Sequence, residues 1–172
     1  MQRQRLEAYL KRLFGYALSL TRDHHQAEDL VQVCALKALG AKKTPETEEA
    51  YRAWLFRILR NAFIDQLRRE KTAADAIDEE KFSASTEYWH GDERYITVLN
   101  VKIEMARLPR RHREIIALID IAGLSYAEAA NLLDVPTGTI MSRISRARRM
   151  LLEAIGSSNV HELPQKKTKR MQ

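Results

Sequence analysis

Few residues in this chain break helices or form cross-links. Its 172 residues include six glycines, four prolines and one cysteine, Cys34. A single cysteine cannot form a disulfide within the chain. No apolar run is long enough to span a bilayer or to form the core of a signal peptide. We therefore expect neither a disulfide scaffold nor a membrane-spanning protein, but a reduced protein in the cytoplasm.

Strand patterns are also missing, because the apolar residues recur at helical spacing and do not alternate. We predict an all-α fold of two small helical domains. Residues 71–93 carry seven acidic residues against two basic ones and no sustained periodicity, which is typical of a flexible linker. The first domain would span residues 1–70 and the second 94–155, with a flexible basic tail at 156–172.

The charge balance favours a polyanionic partner. Lysine and arginine number 29 against 23 aspartate and glutamate, which gives a net charge of +6, and such a surplus is typical of nucleic-acid-binding proteins. If the acidic linker is fully extended, it reaches about 75 Å, or roughly two turns of duplex. Two domains joined by it could contact separate sites on DNA.

The most distinctive stretch, residues 123–153, predicts two helices joined by a tight turn. Ser125 and Glu128 have the spacing of a capping box, so the first helix begins near Ser125. Pro136 breaks the pattern, and the second helix begins there or at the next residue. One face of the second helix is apolar and the opposite face is hydroxylic and cationic. The apolar face comprises Ile140, Ile144, Ala147 and Leu151, and the opposite face comprises Thr139, Ser142, Arg146 and Arg149.

Two interpretations of this stretch are open. In a helix-turn-helix, the second helix presents Ser, Thr and Arg side chains to base edges and phosphates in the major groove. Alternatively, the stretch is an ordinary helical hairpin with a solvated, arginine-rich face.

A long helix predicted over residues 49–70 presents a similar choice. Arg57, Asn61, Asp65 and Arg68 form a polar strip close to Trp54. Aromatic and amide groups beside arginines suit unstacked bases, because every base has a π-face and an edge to bond. Alternatively, the aromatic side chains of this helix belong to the core. These aromatic residues are Tyr51, Trp54, Phe56 and Phe63.

The remaining pattern predicts one helix over residues 3–20 and another that begins after Asp23 and ends near Gly40. His24 and Glu28 have helical spacing and resemble a metal-binding pair, but no further ligand set accompanies them. We therefore predict no metal site and no cofactor. Two more helices are predicted in the second domain, separated at Leu108-Pro109.

Three segments together resemble the extracytoplasmic-function (ECF) sigma factors of bacterial RNA polymerase. The segment LPRRHREIIALIDIAGLSYAEAANLLDVPTGTIMSRISRARRML resembles sigma region 4. AEDLVQ resembles region 2.2, and AWLFRILRNAFIDQLRR resembles regions 2.3 and 2.4. The segments occur in the family's order with an acidic linker between them, so their joint match is far more specific than a single helix-turn-helix.

The resemblance implies a protein that binds core RNA polymerase and directs transcription initiation, with no catalytic residues of its own. Region 2.2 would dock on the clamp helices of the β′ subunit through Asp29, Leu30 and Gln32. Val33 departs from the family pattern, because an acidic residue usually follows the glutamine.

For promoter opening, the resemblance assigns Arg57 and Asn61 to the non-template strand of the −10 element. The loop over residues 40–48 corresponds to the segment that helps to capture a flipped base.

Region 4 would read the −35 element and contact the β subunit. Family alignment assigns the −35 contacts to Met141, Ser142, Ser145, Arg146 and Arg148, and the helical projection adds Thr139 and Arg149. The resemblance also implies control by an anti-sigma factor. One alternative is a dimeric helix-turn-helix repressor or activator, which leaves AEDLVQ unexplained. The other is a sigma-like decoy that sequesters an anti-sigma factor, although such proteins usually carry a receiver domain.

Overall fold

The computed structural model describes the backbone of residues 2–73 and 93–158, and the side chains of residues 2–70 and 100–157. Every regular element in these ranges is helical, which confirms the predicted all-α class. The helices are α1 (Gln2–Glu7), α2 (Leu10–Thr21), α3 (His24–Leu39), α4 (Glu48–Ala73), α5 (Glu93–Arg107), α6 (Arg110–Ile116), α7 (Tyr126–Leu133) and α8 (Thr137–Ser158). None of the helices described combines the length and apolar character needed to cross a bilayer.

The single helix predicted over residues 3–20 is wrong, because the chain turns between α1 and α2. The Tyr9 amide donates to the carbonyl of Leu6 at 2.9 Å, an i to i−3 bond that tightens the turn. The turn allows Arg5 and Tyr9 to converge on Glu48 at the start of α4, at 2.6 and 2.9 Å. Apolar periodicity continues through the turn, and therefore it did not reveal the break.

The predicted helix caps are confirmed. The Asp23 carboxylate accepts from the Gln26 amide at 2.8 Å, and Ser125 and Glu128 form the reciprocal bonds of a capping box. After α7 the chain reverses at Asp134, which has a left-handed φ of 55°. Pro136 then leads into α8, which continues to Ser158, three residues beyond the predicted domain end.

Helix α6 continues into a π-helical turn, Ala117–Ile121, which we call the π-turn. The Ala122 amide closes it by donating to the carbonyl of Ala117 at 2.8 Å, five residues earlier. Compared with an α-helix, such a turn contains one additional residue and therefore rotates the side chains that follow it.

The helices α1–α4 form an N-terminal bundle, and α5–α8 with the π-turn form a C-terminal bundle. The two bundles pack against each other and share a core. Tyr16 and Phe56 of the first bundle lie in the same buried cluster as Leu118 and Leu124 of the second. Gly15 marks a close approach, because a Cβ there would lie 2.8 Å from Ile121 Cγ2. Most of the predicted linker (74–92) and most of the tail (159–172) lie outside the described residues.

Candidate nucleic-acid and protein interfaces

Helix α8 presents the face that the sequence predicted. Ile140, Ile144 and Ala147 are buried against α6 and α7, while Ser142 and Arg146 are exposed. Met141, Ser145 and Arg149 are exposed beside them, and Thr139 is half-buried. The hydroxyl of Ser142 donates to the carbonyl of Thr139 at 3.0 Å. The outward side of α8 is therefore hydroxylic near its start and cationic further along.

Arg148 differs from the other arginines on this face because it forms a bidentate ion pair. Its Nη2 lies 2.5 Å from Asp120 Oδ1, and its Nε lies 3.1 Å from Asp120 Oδ2. Hydrogen bonding to this carboxylate raises the pKa of Arg148. The pair ties α8 to the π-turn beside a groove of about 390 Å³ whose lining includes Tyr126, Met141 and Leu152. Arg148 is one of the predicted −35 residues, and its pairing with Asp120 was not predicted.

Most of the aromatic residues of α4 belong to the core. Tyr51, Phe56 and Phe63 are buried, and only Trp54 is partly accessible. The core interpretation therefore holds for the three buried residues, and Trp54 packs against the same core while part of its side chain stays accessible. Arg57 and Asn61 are exposed on the polar strip. However, Arg57 Nη2 donates to the carbonyl of Asn131 in α7 at 3.3 Å, so the C-terminal bundle lies against this strip.

Ion pairs join the two bundles near the same strip. Arg52 Nη2 lies 2.9 Å from both carboxylate oxygens of Glu128. Burial opposes ionisation of Glu128, but the bonds from Ser125 and Arg52 outweigh it and lower the pKa. The same carboxylate thus caps α7 and binds the N-terminal bundle.

A second polar cluster is centred on Glu114. Its Oε1 lies 2.9 Å from Arg60 Nε and accepts from the Tyr16 hydroxyl at 3.1 Å. Burial and the nearby Glu114 charge raise the pKa of Tyr16 well above its usual value. The adjacent Arg113 is buried, and its Nε donates to the Ser19 carbonyl at 2.7 Å. These contacts were not predicted, although Arg113 and Glu114 directly precede the apolar run IIALI in the sequence.

Helix α3 presents the predicted polymerase-binding residues in different environments. Asp29 and Gln32 are exposed, whereas Leu30 is buried. Asp29 and Leu30 both line a groove of about 270 Å³ between α3 and α4, together with Val33, Lys37, Ala62, Asp65, Gln66 and Arg69.

Three apolar residues of α3 are exposed: Val33, Leu36 and Leu39. Exposed apolar side chains along one helix are typical of a protein-docking surface. This row of exposed apolar residues was not predicted from the sequence.

No metal-binding cluster of three or more His, Cys, Asp or Glu side chains occurs in the described ranges. His24 instead forms a pair with Glu28, with 3.2 Å between Nε2 and Oε1. Cys34 is buried, and burial raises the pKa of its thiol to about 12, so the thiolate form is scarce at neutral pH.

Comparison with known proteins assigns both bundles to one family. Residues 6–73 match Sigma-70 region 2, and residues 104–151 match Sigma-70, region 4. The chain is 31% identical over 139 residues to the ECF RNA polymerase sigma factor EcfG of Rhodopseudomonas palustris, covering 81% of this chain and 76% of EcfG. It is 34% identical over 150 residues to the ECF sigma factor SigL of Mycobacterium tuberculosis, covering 84% of each.

A solved structure is similar over nearly the whole chain. The sigma factor RpoE of Bartonella quintana, in complex with the anti-sigma factor NepR, superimposes with a TM-score of 0.68 and 34% identity. The match covers 90% of this chain and 96% of RpoE. With region 2 in the N-terminal bundle and region 4 in the C-terminal bundle, the chain belongs to the ECF family of RNA polymerase sigma factors.

Proposed function

We propose that this protein is a promoter-specificity subunit that binds core RNA polymerase and directs initiation through two separate DNA-reading surfaces. The observation that carries the proposal is the presence of both sigma regions in one chain, with an exposed α3 face and an exposed α8 face. Its role is recruitment, and the protein performs no catalysis of its own. Because promoter DNA and polymerase are its partners, it acts in the cytoplasm.

The polymerase contact would use helix α3. Asp29 and Gln32 offer exposed polar groups, and the neighbouring groove with exposed Val33 offers an apolar complement. Leu30 would contribute from the groove wall, where it also packs in the core. We propose that the β′ clamp helices bind here and that the C-terminal bundle contacts the β subunit. The double variant Asp29→Ala/Gln32→Ala should impair core binding and leave DNA binding by α8 intact.

Opening of the −10 element is assigned to Arg57 and Asn61 on α4, with a flipped base captured by the loop over residues 40–48. Arg5 supports this loop by donating to the carbonyls of Pro45 and Thr47, at 2.8 and 2.9 Å. Because Arg57 bonds to Asn131 in the packed form, we infer that the bundles separate before α4 contacts the strand.

Recognition of the −35 element is assigned to α8. Ser142 and Arg146 are the central residues, because both are exposed on the face opposite the buried Ile144. Thr139, Met141, Ser145 and Arg149 flank them. Arg148 would contribute to DNA binding only after loss or rearrangement of its pair with Asp120.

Control by an anti-sigma factor is part of this proposal. The support is the similarity to RpoE, whose solved structure contains the anti-sigma factor NepR. We propose that residues 1–70 and 94–155 act as the two functional domains.

Run-off transcription with core polymerase tests the proposed function. Addition of the protein should direct defined start sites on a set of candidate promoters, and core polymerase alone should not. Failure to bind core and to change start-site choice would contradict the proposal. A repressor would instead bind duplex operators as a dimer and give no run-off product, and it would leave the region 2 match without a role.

A further inference from the structure

The two flanks of α8 differ in how their arginines are neutralised. At 100° per residue, Arg143 and Arg148 lie on opposite sides of the outward face that carries Ser142. Arg148 is paired with Asp120. In contrast, neither Arg143 nor Arg146 forms an ion pair with a carboxylate in the described part of the chain. One flank of the reading helix is therefore nearly neutral, and the other retains its positive charge.

Helix α6 adds a third guanidinium on the charged flank. Arg111 is exposed, and its Nε donates to Nε2 of the adjacent His112 at 3.3 Å. His112 itself is only 8% exposed, and its Nδ1 has no hydrogen-bond partner within the residues described. Burial lowers the pKa of His112, and the charges of Arg111, Arg146 and Arg143 lower it further. The neutral imidazole thus accepts a hydrogen bond from Arg111 Nε and holds the Arg111 side chain in place.

Arg110 does not belong to this cluster. Its guanidinium lies over the ring of Phe63 in α4, at 5.9 Å from the ring centroid. The two consecutive arginines therefore have different environments, and only Arg111 bonds to His112.

Helices α6 and α8 pack against each other, and the charges of Arg111, Arg143 and Arg146 all act on His112. Like charges repel one another when no carboxylate compensates them. An anion relieves this repulsion. A helix about 10–12 Å across fits a major groove about 12 Å wide, so that a phosphate backbone runs along each flank. The flank with Arg111 and Arg143 would lie along one of these backbones, while Ser142 and Arg146 face the bases.

We propose that Arg111 and Arg143 bind backbone phosphates along one strand of the duplex that α8 reads, beside Arg146, which faces the bases, and that His112 is the positioning residue for Arg111. The inference rests on the proposed function of α8 as the DNA-reading helix. It extends the interface to α6 and concentrates the phosphate contacts on one side of the recognition helix. Because Arg148 is paired with Asp120, the opposite flank of α8 attracts the DNA backbone less strongly.

The salt dependence of DNA binding by the full chain tests the phosphate contacts. Arg111→Gln and Arg143→Gln are measured with a short mixed-sequence duplex between about 50 and 200 mM salt. Each substitution should reduce the slope of log K against log salt by about 0.9 and should weaken binding equally on all sequences. Lys102→Gln removes the same charge from exposed α5 and should leave the slope unchanged. Unchanged slopes in both arginine variants, or an equal change in the control, would overturn the proposal.

The role of His112 is tested in the same assay with two substitutions. His112→Gln retains an acceptor for Arg111 and should preserve the slope, whereas His112→Leu should lower it as Arg111→Gln does. A wild-type slope in a folded His112→Leu variant would refute the role of His112 in positioning Arg111. If His112→Leu does not fold, the arginine variants still test the phosphate contacts. Because no polymerase is present, these results are independent of run-off transcription, which tests the proposed function.

Discussion

The pair between Arg52 and Glu128 should control how often the two bundles separate. Both side chains are about one-fifth exposed, and one guanidinium nitrogen bonds both carboxylate oxygens at 2.9 Å. Glu128→Gln removes the charge and retains a side chain suited to the capping box, so α7 should remain folded. We expect a loss of about 1–2 kcal/mol of bundle association, because hydrogen bonds to charged groups contribute more than neutral ones. The separated fraction should then rise roughly 5- to 30-fold.

Energy transfer between dyes on the two bundles measures this separation without polymerase or DNA. Lys11→Cys on α2 and Ser157→Cys near the end of α8 place both dyes at exposed positions. The native Cys34 is buried, and its raised pKa protects it from labelling. Energy transfer should be lower in Glu128→Gln than in the wild type. Added salt should cause a larger decrease in energy transfer in the wild type than in the variant.

A matched control separates the effect of this pair from the effect of charge. Glu153→Gln is the same chemical change on α8, where Glu153 faces Arg149 at 4.0 Å and both side chains are about 70% exposed. It should leave energy transfer unchanged. The Arg52→Gln/Glu128→Gln double variant should lose no more than either single variant, because the two changes remove one interaction. Unchanged energy transfer in Glu128→Gln, or fully additive losses in the double variant, would show that the pair does not hold the bundles together.

Three further predictions concern single positions. Arg146→Ala should weaken binding to a −35 duplex by about 1–3 kcal/mol and relax the base preference there. Gel-shift titration with a panel of duplexes that carry base substitutions measures both effects. Unchanged affinity and preference would place Arg146 outside the interface. Gly15→Ala should destabilise the packed form by about 1–3 kcal/mol in denaturant unfolding, because its Cβ would lie 2.8 Å from Ile121 Cγ2. Ile121→Ala should restore the loss, and without such rescue the steric explanation fails. Because the pKa of His112 is lowered in the folded state, the unfolded chain binds the additional proton, so stability should fall as pH drops below about 6.5. His112→Gln should lack that part of the pH dependence. Identical profiles of stability against pH in the wild type and in His112→Gln would contradict this prediction.

Local chemistry made part of this structure predictable. The cap at Asp23, the capping box at Ser125 and the buried face of α8 all depend on residues within one or two turns of each other. Such features follow from helical geometry and from the orphan backbone groups at helix ends. The exposed face of α8 was therefore available from spacing alone, including Ser142 and Arg146.

Contacts between distant segments were not predictable in the same way. Asp120 and Arg148 are 28 residues apart and meet only because the π-turn lies beside α8. Leu30 was assigned to a docking surface, yet the packing of α4 on α3 buries it. Nothing in the sequence distinguishes Arg113 from the other arginines, because the Ser19 carbonyl to which it donates is supplied by the other bundle. Apolar periodicity shows that a face is buried but does not identify which element covers it.

The π-turn allows one continuous helix to serve two cores. Before it, Ile115 and Ile116 pack within the C-terminal bundle, and after it, Ala122 packs in the core shared with the N-terminal bundle. An α-helix gains about 100° of rotation per residue, so deletion of one residue from the π-turn would rotate one set of side chains away from its core. The additional residue thus sets how the core of the C-terminal bundle, which includes α8, is rotated relative to the N-terminal bundle. Insertions or deletions in this turn should be far less tolerated than substitutions.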